Sequence, residues 1–135
     1  MDSETVEKLG KRVCLDTDVI IDFLKGHESS AFKYVFQSQT VQVFVSAVTA
    51  YELQMRKDNL DTAERFLKKV PVFPFDEITA SIAAAITMDL KGKGTLIDSR
   101  DVFIAATAKQ WNASILTRNH SHFQRINGLQ FYSHK

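Results

Sequence analysis

Asp16, Glu52, Asp101 and Asn119 are the residues of this 135-residue chain whose types and settings suit hydrolytic chemistry. Three carboxylates and an amide oxygen form a hard oxygen donor set. Such a set suits Mg²⁺ or Mn²⁺ rather than zinc. Ions of this kind activate water and stabilise a leaving oxygen in phosphodiester cleavage. Asp98 lies three residues before Asp101, on the same face if the segment is helical. The bland reading of that pair is a helix cap, with Asp98 at the N-cap and Asp101 at the third position, similar to a capping box. No Ser-His-Asp or Cys-His arrangement competes. His27, His120, His122 and His134 are scattered, and His120-Ser-His122 reads as exposed loop histidines before it reads as a metal site.

The elements that must position these residues follow from periodicity. Arg12-Val-Cys-Leu15 is a short apolar strand, and Val19, Ile20, Phe23 and Leu24 continue at helical spacing, so Asp16 falls where a strand ends and a helix begins. Residues 30–38 read as a helix with Phe32, Val35 and Phe36 inward. Val41–Val45 is a second strand. Ser46 is a good N-cap for a helix from Ala47 to about Lys57, which carries Glu52. Asp61–Lys69 is amphipathic, and Pro71–Phe75 is extended, with two prolines that favour a sheet edge. Asp76 starts a long helix that stops near Lys91-Gly-Lys-Gly94. That glycine pair lacks the surroundings of a phosphate-binding loop, so it reads as a helix stop. Asp101-Val-Phe-Ile-Ala-Ala-Thr-Ala108 leaves almost no polar face, which implies a buried helix. Ala113–Thr117 is a fourth strand, Arg118–Phe123 a turn and short helix, and Gly128–Tyr132 a last short strand.

Strands alternating with helices predict an α/β fold with a central, mostly parallel sheet of about 4–5 short strands. Residues 1–12 read as a polar arm and residues 13–135 as a single domain. In such sheets ligands bind beyond the carboxyl ends of the strands. That rule places Asp16, Asp101 and Asn119 on one rim, with Glu52 leaning over it from its helix.

Composition narrows the classes. At 44% hydrophobic residues the chain has the make-up of a globular domain. The single cysteine, Cys14, sits in an apolar run and reads as a core thiol. No run approaches the ~18 apolar residues of a membrane span, and no signal-peptide pattern opens the chain, so a cytoplasmic protein is expected. Net charge is only +1 but unevenly spread: residues 1–90 carry 10 Lys and Arg against 14 Asp and Glu, and residues 91–135 carry 7 against 2. That basic final third offers Lys91, Lys93, Arg100, Lys109, Arg118 and Arg125 to a phosphate backbone.

Four segments, in order and spacing, resemble the motifs of PIN-domain ribonucleases, and most closely the VapC-like toxins of type II toxin–antitoxin systems. They are Leu15-Asp-Thr-Asp-Val-Ile-Ile-Asp-Phe-Leu24, Ser46-Ala-Val-Thr-Ala-Tyr-Glu-Leu53, Asp101–Ala108 and Leu116-Thr-Arg-Asn-His-Ser-His-Phe123. The resemblance implies that Asp16, Glu52 and Asp101 are metal-binding carboxylates, with Asn119 at the fourth site position and Thr117 its supporting hydroxyl. It further implies a Mg²⁺- or Mn²⁺-dependent endoribonuclease acting on structured RNA through a metal-activated water, a homodimer, and inhibition by a cognate VapB-like antitoxin. Lys91, Lys93, Arg100 and Arg118 are then candidates for the RNA backbone, and Asp98 is a cap or an extra supporting carboxylate. Arg56 stands where the family often has glycine.

Other readings remain at this point. One is a catalytically weak PIN fold that only binds RNA or protein. Asp16-Thr-Asp18 after a strand also resembles the start of a haloacid-dehalogenase-type phosphatase, although Ile20 departs from that pattern. A phospho-receiver would need a strand-end lysine that Gly128-Leu129 does not supply. Clustered carboxylates repel one another without a counter-cation. An inhibitory partner is therefore expected to place an Arg or Lys among Asp16, Glu52, Asp98 and Asp101, with its apolar helix in a groove along the aromatic-rich stretch Phe23 to Phe36.

Overall fold

A computed structural model describes residues 11–27 and 29–133. Residues 1–10 of the expected N-terminal arm lie outside the described residues.

The chain runs β1 (Lys11–Leu15), α1 (Thr17–Leu24), α2 (Ser30–Gln37), β2 (Val41–Ser46), α3 (Ala47–Gln54), α4 (Leu60–Lys69), β3 (Val72–Phe73), α5 (Glu77–Gly92), α6 (Ser99–Gln110), β4 (Ser114–Leu116), α7 (His120–Phe123) and β5 (Gln130–Phe131). The five strands form one sheet in the order β3-β2-β1-β4-β5, and every neighbouring pair is parallel. The expected architecture is therefore present, with α3 ending a few residues sooner than the sequence suggested. The proline-flanked β3 is an edge strand, as its missing N–H donors require.

Alternation along the strands sorts the core into two layers, because successive side chains leave a strand on opposite faces. Val13, Leu15, Val45 and Leu116 pack with Ile20, Phe32, Leu53 and Phe66. Cys14, Phe44 and Ile115 pack with Ile86, Leu90, Ile104 and Phe123. Cys14 is fully buried, and burial pushes its thiol well above its usual range, which fits an inert core residue.

Helix α6 threads the second layer, with Val102, Ile104, Ala105, Ala106 and Ala108 buried. Its alanines let it approach α5 closely. The Lys91–Gly94 segment is a stop: Gly94 has φ +68° and its N–H bonds to Lys91 O at 3.1 Å. Glycine enters that left-handed region without steric cost.

Topology selects the functional end. From β1 the chain builds outward through β2 to β3, then crosses to β4 on the other side of β1. The order reverses between β1 and β4, and the crevice beyond that switch point is where open α/β sheets bind ligands. Leu15 pairs with Leu116, so Asp16 and Thr117, the next residues on each strand, flank the crevice.

Candidate metal centre

Asp16 caps α1, accepting 2.8 Å from the Thr17 N–H. Its second oxygen accepts 2.7 Å from the Thr117 hydroxyl, and Thr117 Oγ1 in turn accepts 2.9 Å from the Asn119 N–H. Backbone and hydroxyl donors across β1 and β4 thus fix the carboxylate's orientation. Asp16 is only 3% exposed. Burial raises its pKa to about 6, Thr117 and Thr17 pull against that through their hydrogen bonds, and the charges of Asp18 and Asp101 push the same way as burial. A buried carboxylate held by neutral donors calls for a cation.

Glu52 reaches the same place from α3. Ser46 caps that helix, accepting 3.0 Å from Thr49 N. The Thr17 hydroxyl donates 2.8 Å to Glu52 Oε1 and lies 3.0 Å from Thr49 Oγ1, so the residue after Asp16 tethers Glu52. Asp101, in the first turn of α6, meets His122 Nδ1 at 3.3 Å. Burial raises the Asp101 pKa, and its contact with His122 opposes the rise.

Cations already lie against this acidic centre. Arg100 places Nη1 3.5 Å from Glu52 Oε2 and Nε 3.2 Å from Asp98 Oδ1. Arg118, on the opposite flank, holds Asp22 at 3.1 Å and Asp18 at 3.9 Å. Of the remaining basic candidates, Lys93 pairs with Asp89 at 2.9 Å, Lys109 donates to Asn127 O and Arg125 to Leu96 O, while Lys91 is exposed at the end of α5.

Asp98 is the N-cap of α6, as its position suggested, but no capping box forms. It accepts 2.8 Å from Arg100 N and binds the Arg100 guanidinium, which holds its carboxyl below the usual range. Asp101 turns to His122 instead of back to the cap. Asp98 therefore meets an arginine of its own chain rather than pointing bare into a shared cavity. The reciprocal box occurs at Asp76 and Thr79 on α5. Asn119 caps α7 without a side-chain bond; its backbone, through Thr117, is what reaches Asp16.

Two participants are not apparent from spacing. His122, expected as an exposed loop histidine, is turned by α7 onto Asp101, and Thr17 holds both Asp16 and Glu52. The signal for Thr17 was position: the first turn of a helix starting at a strand end faces the crevice.

The donor chemistry fits a hard divalent ion. In the conformation described, however, no three His, Cys, Asp or Glu side chains among the described residues gather closely enough to hold one. Glu52 and Asp101 are drawn toward Arg100 and His122.

An all-parallel sheet has buried Asp16 at its switch point, with Glu52 bound to the adjacent Thr17 and Asp101 at the start of α6. The chain belongs to the PIN-domain family, whose model matches residues 13–129. Its relatives include proteins named as an endonuclease and as a toxin. The tRNA(fMet)-specific endonuclease VapC of Shigella flexneri is 28% identical over 123 residues, spanning 86% of this chain and 92% of that one. Toxin FitB of Neisseria gonorrhoeae is 32% identical over 126 residues, spanning 82% and 90%. Among solved structures, VapBC-1 from nontypeable Haemophilus influenzae superposes with a TM-score of 0.79 at 26% identity, covering 90% of this chain and 97% of that one. Family membership supersedes the phosphatase and receiver readings, and Asp18 pairs with Arg118.

Proposed function

We propose that this protein is a VapC-like toxin: an endoribonuclease, dependent on Mg²⁺ or Mn²⁺, that hydrolyses RNA and is silenced by a VapB-like antitoxin. The observation that carries this reading is Asp16, buried at the switch point and fixed by Thr17 and Thr117, in a chain of the PIN family.

Asp16, Glu52 and Asp101 would hold the ion, with the Asn119 amide beside them. When bound, the ion supplies Lewis acidity that lowers the pKa of a water and draws charge from the phosphate. The protein's own part is positioning. Thr17 and Thr117 keep Asp16 ionised and oriented, and Thr17 anchors Glu52. Arg100 and Arg118 stand on either flank, where a guanidinium can grip phosphate oxygens in a bidentate fork. Lys91 and Lys93 extend the basic surface. Hydrolysis forms one bond from the water oxygen to phosphorus and breaks the bond to the leaving sugar oxygen, which takes a proton.

The partner reading has a physical counterpart. A groove of about 580 Å³ runs between α1, α2 and α4, lined by Phe23, Phe32, Phe36 and Phe66 and rimmed by Lys33, Arg65 and Lys69. It coincides with the aromatic-rich stretch expected to receive an antitoxin helix. A homodimer is part of the same reading, carried over from the family resemblance. No helix among the described residues is long and apolar enough to cross a membrane.

The direct test is cleavage of RNA by the purified chain with Mg²⁺ or Mn²⁺. Cleavage should stop in EDTA and return with excess metal. A chromogenic phosphate ester should stay intact. Undiminished RNA cleavage in EDTA would remove the metal mechanism.

A further inference from the structure

A second cavity, about 410 Å³, opens next to the carboxylates. Thr117 belongs to both sites: it lines the cavity and donates to Asp16 Oδ2 at 2.7 Å. Arg118 and Asp22 also line it, tied to each other at 3.1 Å. His120 and Phe131 add a stacked pair of rings, with centroids 4.7 Å apart and planes at 21°. His120 is exposed and Phe131 half-buried, so the histidine carries the accessible end of that stack.

This lining selects its occupant. A free anion would gain nothing from stacked rings, and Asp22 already offsets the Arg118 charge at 3.1 Å. An aliphatic side chain would leave the exposed His120 ring and the outer face of the Arg118 guanidinium unused. A flat heteroaromatic ring bearing donors and acceptors uses both kinds of wall, and the volume falls within the range of small-ligand pockets. Unpaired RNA bases are held in this way, stacked on aromatic or guanidinium planes and hydrogen-bonded at their edges. Thr117 touches Asp16 and lines this cavity, so a strand crossing the candidate centre could bring a neighbouring base here.

We propose that this cavity binds one unstacked nucleobase of the RNA, adjacent to the bond that is cut, with His120 as its stacking face and Arg118 on the linking phosphate. The inference rests on the ribonuclease reading for the identity of the strand. It adds that cleavage-site preference is set on the α7–β5 side.

Two measurements test it. The first uses the metal-free full chain and needs no cleavage. Nucleoside 5′-monophosphates, ribose 5-phosphate and inorganic phosphate are titrated separately while backbone amide shifts are followed. The nucleotides should move the Arg118, His120, Phe131 and Tyr132 amides, with ribose 5-phosphate needing at least roughly fivefold higher concentration, since a base–aromatic stack contributes about 1–3 kcal/mol. His120→Ala should weaken nucleotide binding by roughly fivefold to a hundredfold on the same scale, and His120→Trp should retain it. Equal responses to ribose 5-phosphate and to the nucleotides would show a phosphate site and overturn the proposal.

The second uses RNA whose cleavage site has been mapped, with an abasic residue placed on either side of it. For the wild type, one abasic position should raise KM by a similar factor, and His120→Ala should be insensitive to that same change. Parallel losses in both proteins would overturn the proposal while leaving the nuclease reading intact. Absence of metal-dependent cleavage would defeat the nuclease reading, and the nucleotide titration would still decide whether a base binds.

Discussion

Asp16 carries the tension of the site. Its ordinary pKa is near ~3.9, and in the folded, metal-free protein it rises to about 6 because burial penalises the charged form. The folded state therefore binds this proton more tightly than the unfolded chain. Stability from Asp16 is full below about pH 4 and is lost as pH rises through about 6. The loss is roughly 3 kcal/mol at 1.36 kcal/mol per pH unit. Melting in EDTA should accordingly fall across that window, and excess Mg²⁺ or Mn²⁺ should restore it above the window. Asp16→Asn cannot ionise; its amide oxygen can accept from Thr17 N and its NH₂ can donate to the Thr117 hydroxyl. That variant should melt higher than the wild type in EDTA at pH 8 and lose several orders of magnitude in cleavage rate. A variant that melts lower at pH 8 would refute the strain argument.

Arg100 and Asp98 separate a cap from a phosphate contact. A cation in the first turn opposes the helix dipole, so Arg100 has no helix-forming reason to be there. It is half exposed, and its pairs with Asp98 and Glu52 contribute little to stability. Asp98→Ser should leave unfolding within about 0.5 kcal/mol of wild type, because Ser caps comparably. Arg100→Ala should also fold normally but bind RNA more weakly, with the slope of log affinity against log salt reduced by roughly one. Filter binding across a salt series reads both numbers. An unchanged slope would show that Arg100 serves only to neutralise Glu52.

At the scale of elements, Glu52 depends on a tether that periodicity does not reveal. The strand ends, the Ser46 cap and the buried face of α6 were legible because apolar spacing and capping chemistry act locally. Asp16 was legible as a strand-end carboxylate at the switch point because a parallel sheet delivers strand ends to one rim. The Thr17–Glu52 bond spans 35 positions and Asp101–His122 spans 21. Such contacts are fixed by how α1 meets α3 and how α7 turns, not by spacing. The same limit explains the reading of Asp98: the cap was visible, but Arg100 closing over it was not. Thr17→Val keeps the shape and removes the hydroxyl. It should lower metal affinity by roughly 10–100-fold, as loss of a ligand's supporting bond does, while Asp16 keeps its cap through the backbone N–H. Isothermal titration with Mn²⁺ measures this without reference to cleavage. Wild-type affinity would mean that Glu52 orients itself without Thr17.

At the scale of the molecule, the two faces of the sheet divide the labour. The α5–α6 layer buries a continuous apolar core, and the α1–α2–α4 layer leaves a groove open above its own core. Phe23 and Phe36 are 37% and 45% exposed there, their rings packed against Phe32 and Phe66. Exposed aromatics clustered in a groove mark an interaction surface. The rim of Lys33, Arg65 and Lys69 favours a partner helix with an apolar stripe and acidic flanks. Helix α1 joins groove and metal centre, since Asp16 caps its start and Phe23 lies near its end. A partner anchored in the groove is thereby placed to extend a cationic side chain toward Glu52 and Asp101. Phe36→Asp puts a carboxylate at the lip of the groove, away from Asp16. It should weaken the complex with the antitoxin by at least roughly tenfold, the cost expected for an unpaired charge against an apolar anchor. RNA cleavage by the free protein should be unchanged. Co-purification and inhibition assays with both proteins decide the matter. Full inhibition of the Phe36→Asp protein at wild-type antitoxin concentrations would place the partner elsewhere.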